Sequence, residues 1–305
     1  MKELSNYDYY TQDSVDGYQE LVDYITEELM GDYWVYRAQH ENGELGTTFE
    51  RACQNSHLTL DSDAPGTEDN MIREFARVYD GDDRENVQND KLYCLSLMRH
   101  YGAPSRLLDF TYSMYVAVYF ALECAYDNVP KKASGELDYE NPTRSCAIWC
   151  IDTKELVARI NDKYKDKYPE LIANITARSD DSRRENETFL PLYMENKYKF
   201  VGHENPLLLH RRLHLQQGTF LCPGNISVPF MENLLYPYRD YGKTDKIRKI
   251  ICRFQVSDLQ EAFKQSIRMN MTREGLFPGL DGFAQSMKYQ LWFYRKLVDW
   301  RREIT

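Results

Sequence analysis

The sequence predicts an α+β fold, a single mixed domain with a central sheet flanked by helices. Three observations carry this. Helix-period and strand-period segments follow one another without a regular βα repeat, the strongest apolar runs are short, and 42% of the 305 residues are hydrophobic. A chain of that length buries a substantial core without disulfides or metals. No apolar run reaches membrane-spanning length.

Taken in order, residues 14–30 place Leu21, Val22, Ile25 and Leu29 on one stripe and end at Gly31-Asp32, which predicts an amphipathic helix. Residues 34–38 form a short strand with Arg37 at its end. Residues 61–67 read as a loop, 68–79 as a helix, and the acidic stretch 80–83 as a connection. A helix over 91–100 leads into the turn signal Gly102-Ala103-Pro104, where Gly tolerates positive φ and Pro disfavours helix at the residue before it. A strand-like SRLLDF follows. Residues 112–126 then read as a helix capped by Thr111 or Ser113, with Val116, Tyr119, Phe120 and Glu123 recurring at i+3 and i+4 spacing.

Residues 127–144 are rich in Lys, Gly, Asp and Pro and predict an exposed loop. CAIWCI makes 145–151 a buried strand, and Asp152-Thr153 caps a helix through Ile160. The charged segment 161–196 predicts a peripheral helical excursion. Strands are expected at 200–203, at 213–222 with an interruption at Gly218, and at 249–256. Ser257-Asp258 starts a helix toward Met269. A final helix from Leu280 has Phe283, Met287, Leu291 and Tyr294 on its apolar side.

A net charge of -10 argues against a surface that coats nucleic acid, because binding a polyanion begins with phosphate neutralisation by clustered Lys and Arg. Arg183-Arg184, Arg211-Arg212 and residues 243–253 are either solvated faces or local basic patches. The seven cysteines are odd in number and scattered, and the start MKELS has no apolar signal segment, so the expectation is a cytoplasmic protein with reduced thiols and no membrane association. His210 and His214 form a lone i, i+4 pair without an obvious third ligand, so no metal is expected. GxGxxG, Walker A and GxSxG patterns are absent from the sequence.

The richest stretch is 97–125. His100, Tyr101, Gly102, Ser105, Arg106, Asp109 and Thr111 stand between two segments that a folded protein would bury, which reads as a pocket wall. Arg106 and Asp109 lie three apart and in a strand would face opposite sides, so they are expected to do different jobs.

HYGAPSRLLDFTYSMYVAVYFA closely resembles the central motif of the FRG domain family, and VYRAQ at 35–39 sits where that family carries its short Phe/Tyr-Arg-Gly motif. Ala38 replaces the glycine, which removes any requirement for positive φ there. MIREFARVY, RRLHLQQGTF and GLFPGLDGFAQSM are further matches in family order. The resemblance implies one FRG-type domain over 1–305. Because such domains are commonly bacterial or phage-borne, it also implies a toxin or antiphage role.

More distantly, the order of motifs is similar to ADP-ribosyltransferase-like domains, which implies a split sheet and NAD as a substrate held in one cleft. Under that resemblance Arg37 holds the NAD phosphate or ribose, Ser105 or Thr111 supports the nicotinamide side, and Tyr119 walls the pocket; His100, Tyr101 and Arg106 are expected in the same pocket from their place in 97–125, with Arg106, beside Leu107 and Leu108, expected to be partly buried, paired and needed for stability. A guanidinium suits the first role because its fork grips phosphate bidentately. Gln217 falls where many transferases use a glutamate, and an amide offers no full charge to a developing cation, so Asp109 or Glu74 is the candidate carboxylate. The expectation is an NAD-consuming transferase or glycohydrolase. A nucleotide-binding or nucleic-acid-binding module and a protein-interaction domain stay open beside it, and the acceptor, protein or nucleic acid, is left unspecified.

Overall fold

The computed structural model describes residues 9–29, 31–180, 185–291 and 295. Its strands β1 (Tyr10–Asp16), β2 (Trp34–Gln39), β3 (Leu108–Thr111), β4 (Thr143–Asp152), β5 (Val201–Glu204), β6 (Gly218–Pro223) and β7 (Thr244–Gln255) form one sheet in the order β1-β7-β4-β2-β3-β6-β5. β1 lies parallel to β7, and the other neighbouring pairs are antiparallel. This is the α+β architecture that the mixed pattern predicts.

The helices in chain order are α1 (Tyr18–Glu28), α2 (Thr48–Asn55), α3 (Leu60–Val78), α4 (Arg84–Asn89), α5 (Lys91–His100), α6 (Met114–Asp127) and α7 (Thr153–Tyr164). They continue as α8 (Pro169–Asp180), α9 (Glu185–Phe189), α10 (Arg211–Leu215), α11 (Phe230–Leu235), α12 (Val256–Arg268), α13 (Arg273–Leu276) and α14 (Leu280–Ser286).

Strand periodicity distributes the core. β4 turns Cys146, Ile148 and Cys150 to one face and Trp149 and Ile151 to the other, and both sets are fully buried, which is why CAIWCI reads as an unbroken apolar run. The first face packs on Leu21 and Ile25 of α1, Val116 and Leu122 of α6, and Leu259 and Phe263 of α12. The second face packs on Leu156 of α7 and on Phe230 and Leu234 of α11. A further core joins Phe220 and Cys222 of β6 to Leu92 and Leu95 of α5, Ile72 of α3 and Phe189 of α9. All seven cysteines are free thiols, and all but half-buried Cys124 are buried.

Several elements keep the bounds their sequence predicts, because their end signals are local. The α6 helix starts after Ser113, whose Oγ accepts from the Val116 amide, and α7 starts after Asp152, whose carboxylate accepts from the amides of Lys154 and Glu155. Others differ. Residues 14–16 belong to β1, and α1 begins only at Tyr18. The partner that turns Ser14, Val15 and Asp16 into strand is β7, more than two hundred residues away, with the Gly17 amide donating to Arg253 O at 2.7 Å. Met30 lies outside the described residues.

Residues 61–67 are helical rather than looped. The Asp63 carboxylate reaches back to the Thr59 amide at 2.7 Å, and Asp61 and Asp63 face the positive end of α3, so Pro65 removes only one bond from an otherwise well-anchored start. The stretch 213–222 is split between α10 and β6. A Cβ on Gly218 would lie 2.4 Å from Leu213 Cδ1, so the chain doubles back sharply here, through Gln217 at φ 45°. The final apolar stripe is exposed at Phe283, Met287 and Leu291, and it does not run along one helix, since α14 ends at Ser286 and a 3-10 turn, Met287–Gln290, follows; Tyr294 lies outside the described residues.

In the segment 161–196, α8, α9 and a π-helical turn at Leu190–Met194 occur, with Leu192 and Tyr193 buried in the core beside α5. Residues 127–144 are mostly exposed, apart from a bridge between Lys131 and Leu137.

Candidate functional site

The sheet nearly parts between β2 and β3, which share only the pair Tyr36 with Thr111. A cavity of about 220 Å³ opens at this gap. β2 contributes Tyr36, Arg37 and Ala38, and β3 contributes Asp109, Phe110 and Thr111. Helix α6 adds Ala117 and Phe120, and the far wall is Arg212, Gln216 and Phe277. Helix α6 packs in the core with residues of β2 and β4, while α5 and α3 pack in the core with residues of β6, so the strands on either side of the gap are covered by different helices.

Arg37 spans the parting. Its Nη1 donates to the Asp109 carbonyl oxygen at 2.8 Å and lies 3.8 Å from the Asp109 carboxylate. Arg99, from the last turn of α5, donates from Nε to the same carboxylate at 2.6 Å. Burial pulls the Arg37 guanidinium down to about 10, Asp109 opposes that shift, and Arg99 and Arg51 add to it. For Asp109 burial pushes upward, but Arg99 and then Arg37 outweigh it and hold the carboxyl below its ordinary value.

Two features leave this charge incomplete. The buried Nε of Arg37 has no hydrogen-bond acceptor among the described residues. The Arg212 guanidinium makes no ion pair or hydrogen bond among them either, and lies 4.2 Å from the centre of the Phe277 ring, which Arg273 also approaches, at 4.3 Å. Burial, then Arg99 and Arg273, lower the Arg212 pKa against the pull of Asp109. Around one carboxylate the cleft therefore carries Arg37, Arg99 and Arg212, with Arg51 close enough to repel Arg99.

The wall at Phe277 is held in place by polar ties. Arg273 pairs with Glu123 of α6 and donates to Gln285 at 2.8 Å. Gln216 Nε2 donates to the Leu276 carbonyl at 3.1 Å, while the Gln216 carbonyl accepts from Thr111 Oγ1 at 2.7 Å.

Of the residues singled out from the sequence, Arg37, Asp109 and Thr111 line this cavity. His100 stands beside it, its ring centroid 4.3 Å from that of His210, and burial followed by Arg212 lowers its pKa. The others stand elsewhere. Arg106 is fully buried, with Nε 2.9 Å from both oxygens of Glu68 and Nη1 donating to Tyr193 O at 2.5 Å, so its fork is consumed in the core. Ser105 is buried and donates to Leu95 O at 3.2 Å. Tyr119 packs in the core against Phe263, one position along α6 from Phe120, which does line the cavity. Tyr101 is exposed beside Phe75 and Tyr79. Glu74 is exposed on α3 and pairs with Arg77. Gln217 is exposed in its turn, and its neighbour Gln216 faces the cleft instead.

Arg99, Arg212, Gln216, Phe120 and Phe277 are the residues that sequence reasoning missed. Arg212, Gln216 and Phe277 do lie inside RRLHLQQGTF and GLFPGLDGFAQSM, yet nothing in those runs fixes which way each side chain points. Among the described residues no cluster of three or more metal-ligating side chains occurs, and no helix is long and apolar enough to cross a membrane.

Residues 32–129 match the family model of the FRG domain. The matched segment supplies β2, β3 and the whole of α6, and so one side of the cleft, while Arg212, Gln216 and Phe277 come from beyond it. No curated protein and no solved structure matches the chain.

Proposed function

Because the chain carries an FRG domain that forms one side of an arginine-rich cleft, we propose that this cleft binds a phosphate-bearing nucleotide of the NAD class. The observation that carries the reading is the charge imbalance at the split. Arg37 keeps a buried donor without an acceptor and Arg212 has no counter-ion among the described residues, in a chain whose overall charge is -10. Leaving a buried donor unmade costs about 1–3 kcal/mol, and a phosphate oxygen accepting from Arg37 and Arg212 removes that cost.

A nucleotide fits better than bare phosphate. A water's share of liquid volume is about 30 Å³, so a cavity of about 220 Å³ has room well beyond one small anion, and Phe120 and Phe277 offer it an apolar wall. The motif order similar to ADP-ribosyltransferase-like domains favours NAD within this class. A whole dinucleotide exceeds the cavity, so part of it would lie along the cleft mouth toward Arg99 and His100.

A second reading, cleavage of the nicotinamide bond, is favoured by one observation. Among the described residues Asp109 is the sole carboxylate lining the cavity, and Arg99 and Arg37 hold it below its ordinary value. Phosphate binding would draw those guanidiniums away from it and free its charge to stabilise an oxocarbenium-like transition state.

The test is calorimetric titration of the protein with NAD, ADP-ribose, AMP and pyrophosphate, followed by an assay of nicotinamide release. Binding of NAD or ADP-ribose that disappears in Arg37→Ala supports the site. Release of nicotinamide that disappears in Asp109→Asn supports cleavage as well. Absence of binding by all four ligands rejects the reading. Growth arrest on expression, relieved by Arg37→Ala, would support the toxin or antiphage role.

A further inference from the structure

Resting on the nucleotide reading of the cleft, we infer that Gln216 is a specificity-determining residue that selects a ligand presenting an N–H or O–H donor to it, a carboxamide or a ribose hydroxyl rather than a carboxylate. The inference comes from how the amide is oriented. Gln216 Nε2 donates to the Leu276 carbonyl, an oxygen that can only accept, so the amide nitrogen rather than Oε1 is committed to the wall. The backbone carbonyl of Gln216 is also occupied, by Thr111 Oγ1. Oε1 therefore remains as the acceptor that this residue offers to the cavity it lines.

That acceptor is unusual in its surroundings. Arg37, Arg212 and the backbone ties around them present donors, which suit phosphate and would equally suit any carboxylate. Gln216 Oε1 is the group that distinguishes them, because it accepts from an amide or hydroxyl and repels an anionic oxygen. A site that hydrogen-bonds a ligand donor disfavours the analogue lacking it, since the site's own polar group is then left unpaired. The amide sits one helical turn from Arg212, so a ligand anchored by phosphate on the guanidinium carries its neighbouring groups past Oε1.

Two ligand groups share this chemistry, and two analogues separate them. The deamido form of NAD replaces the carboxamide with a carboxylate, and NAD lacking the 2′-hydroxyl of the nicotinamide ribose removes that donor. In the parent protein one of the two should bind at least tenfold more weakly than NAD. That ratio should collapse to within threefold in Gln216→Met, which keeps the length of the side chain and removes the acceptor. The inference is overturned if NAD binds but neither analogue is discriminated in the parent, a result that needs no folded variant. It is overturned equally if the discrimination survives in Gln216→Met. Failure of NAD itself to bind rejects the underlying nucleotide reading and this inference with it, so the two failures are distinct.

Discussion

Arg37 Nη1 donates to the backbone carbonyl of Asp109 at 2.8 Å, across the one place where the seven-stranded sheet is held by a single residue pair. A side chain thus bridges two strands whose ladder has parted, while its Nε has no acceptor among the described residues. The same guanidinium contributes to the sheet and to the cleft, and these roles differ in size.

Replacing Arg37 with Ala should cost the fold about 1 kcal/mol, the usual net worth of one hydrogen bond, while weakening nucleotide binding about ten- to a hundredfold through loss of a charged donor. Arg37→Lys should keep the charge and recover only part of the affinity, because an ammonium lacks the fork. Paired denaturation and calorimetry curves check this, and a loss of stability large enough to account for the loss of binding would contradict it.

Arg106 should behave in the opposite way. Its removal strands Glu68, which is itself fully buried, and breaking such a pair from one side costs about 3–5 kcal/mol. The Arg106→Met, Glu68→Leu double variant should recover much of that loss, since an apolar pair leaves no stranded charge. Urea melts of the three variants are the measurement, and a double variant less stable than Arg106→Met alone would refute the account.

Gln217 holds a left-handed φ of 45° that costs a non-glycine residue about 1 kcal/mol. Gln217→Gly should therefore raise stability by up to that amount and leave ligand affinity unchanged. Gln217→Glu should likewise leave NAD turnover as in the parent, because the side chain is exposed outside the cavity. A faster reaction in Gln217→Glu would return this residue to the site.

Acidification should weaken the fold before the carboxylates titrate. Burial lowers His203 and His210 to about 4, with His100 and Arg212 adding to the shift at His210. Each imidazole is neutral when folded and has an ordinary value near 6.5 when unfolded. The unfolded chain binds more protons between those values, so the stability present above pH ~6.5 is lost as pH falls toward ~4. His210 Nδ1 also accepts from the Leu213 amide at the start of α10, so its protonation removes the cap of the helix carrying Arg212. His210→Asn, which retains a capping acceptor without titrating, should flatten part of the pH dependence of both stability and binding. An unchanged pH profile in that variant would exclude His210 as a source.

The sequence by itself determined the elements whose signals are local. CAIWCI is a strand because both of its faces are apolar, α5 and α6 are bounded by caps and a Gly-Pro turn within a few residues of their ends, and the same run carries the match to the FRG family. Arg37, Asp109 and Thr111, singled out in the sequence, all line the cavity and all lie within the segment 32–129 that matches the FRG-domain model.

Only the tertiary structure decided direction and partnership. Ser14 to Asp16 became strand through β7 far along the chain, Arg106 was claimed by Glu68 on α3, and Phe120 rather than Tyr119 reached the cavity by one step of a helix. Gln216 replaced Gln217 for the same kind of reason, since a left-handed turn at 217 sends adjacent side chains to opposite sides. Adjacent residues of equal chemistry are indistinguishable to periodicity. Which of them meets a guanidinium contributed by a distant segment is fixed by how the strands and helices pack.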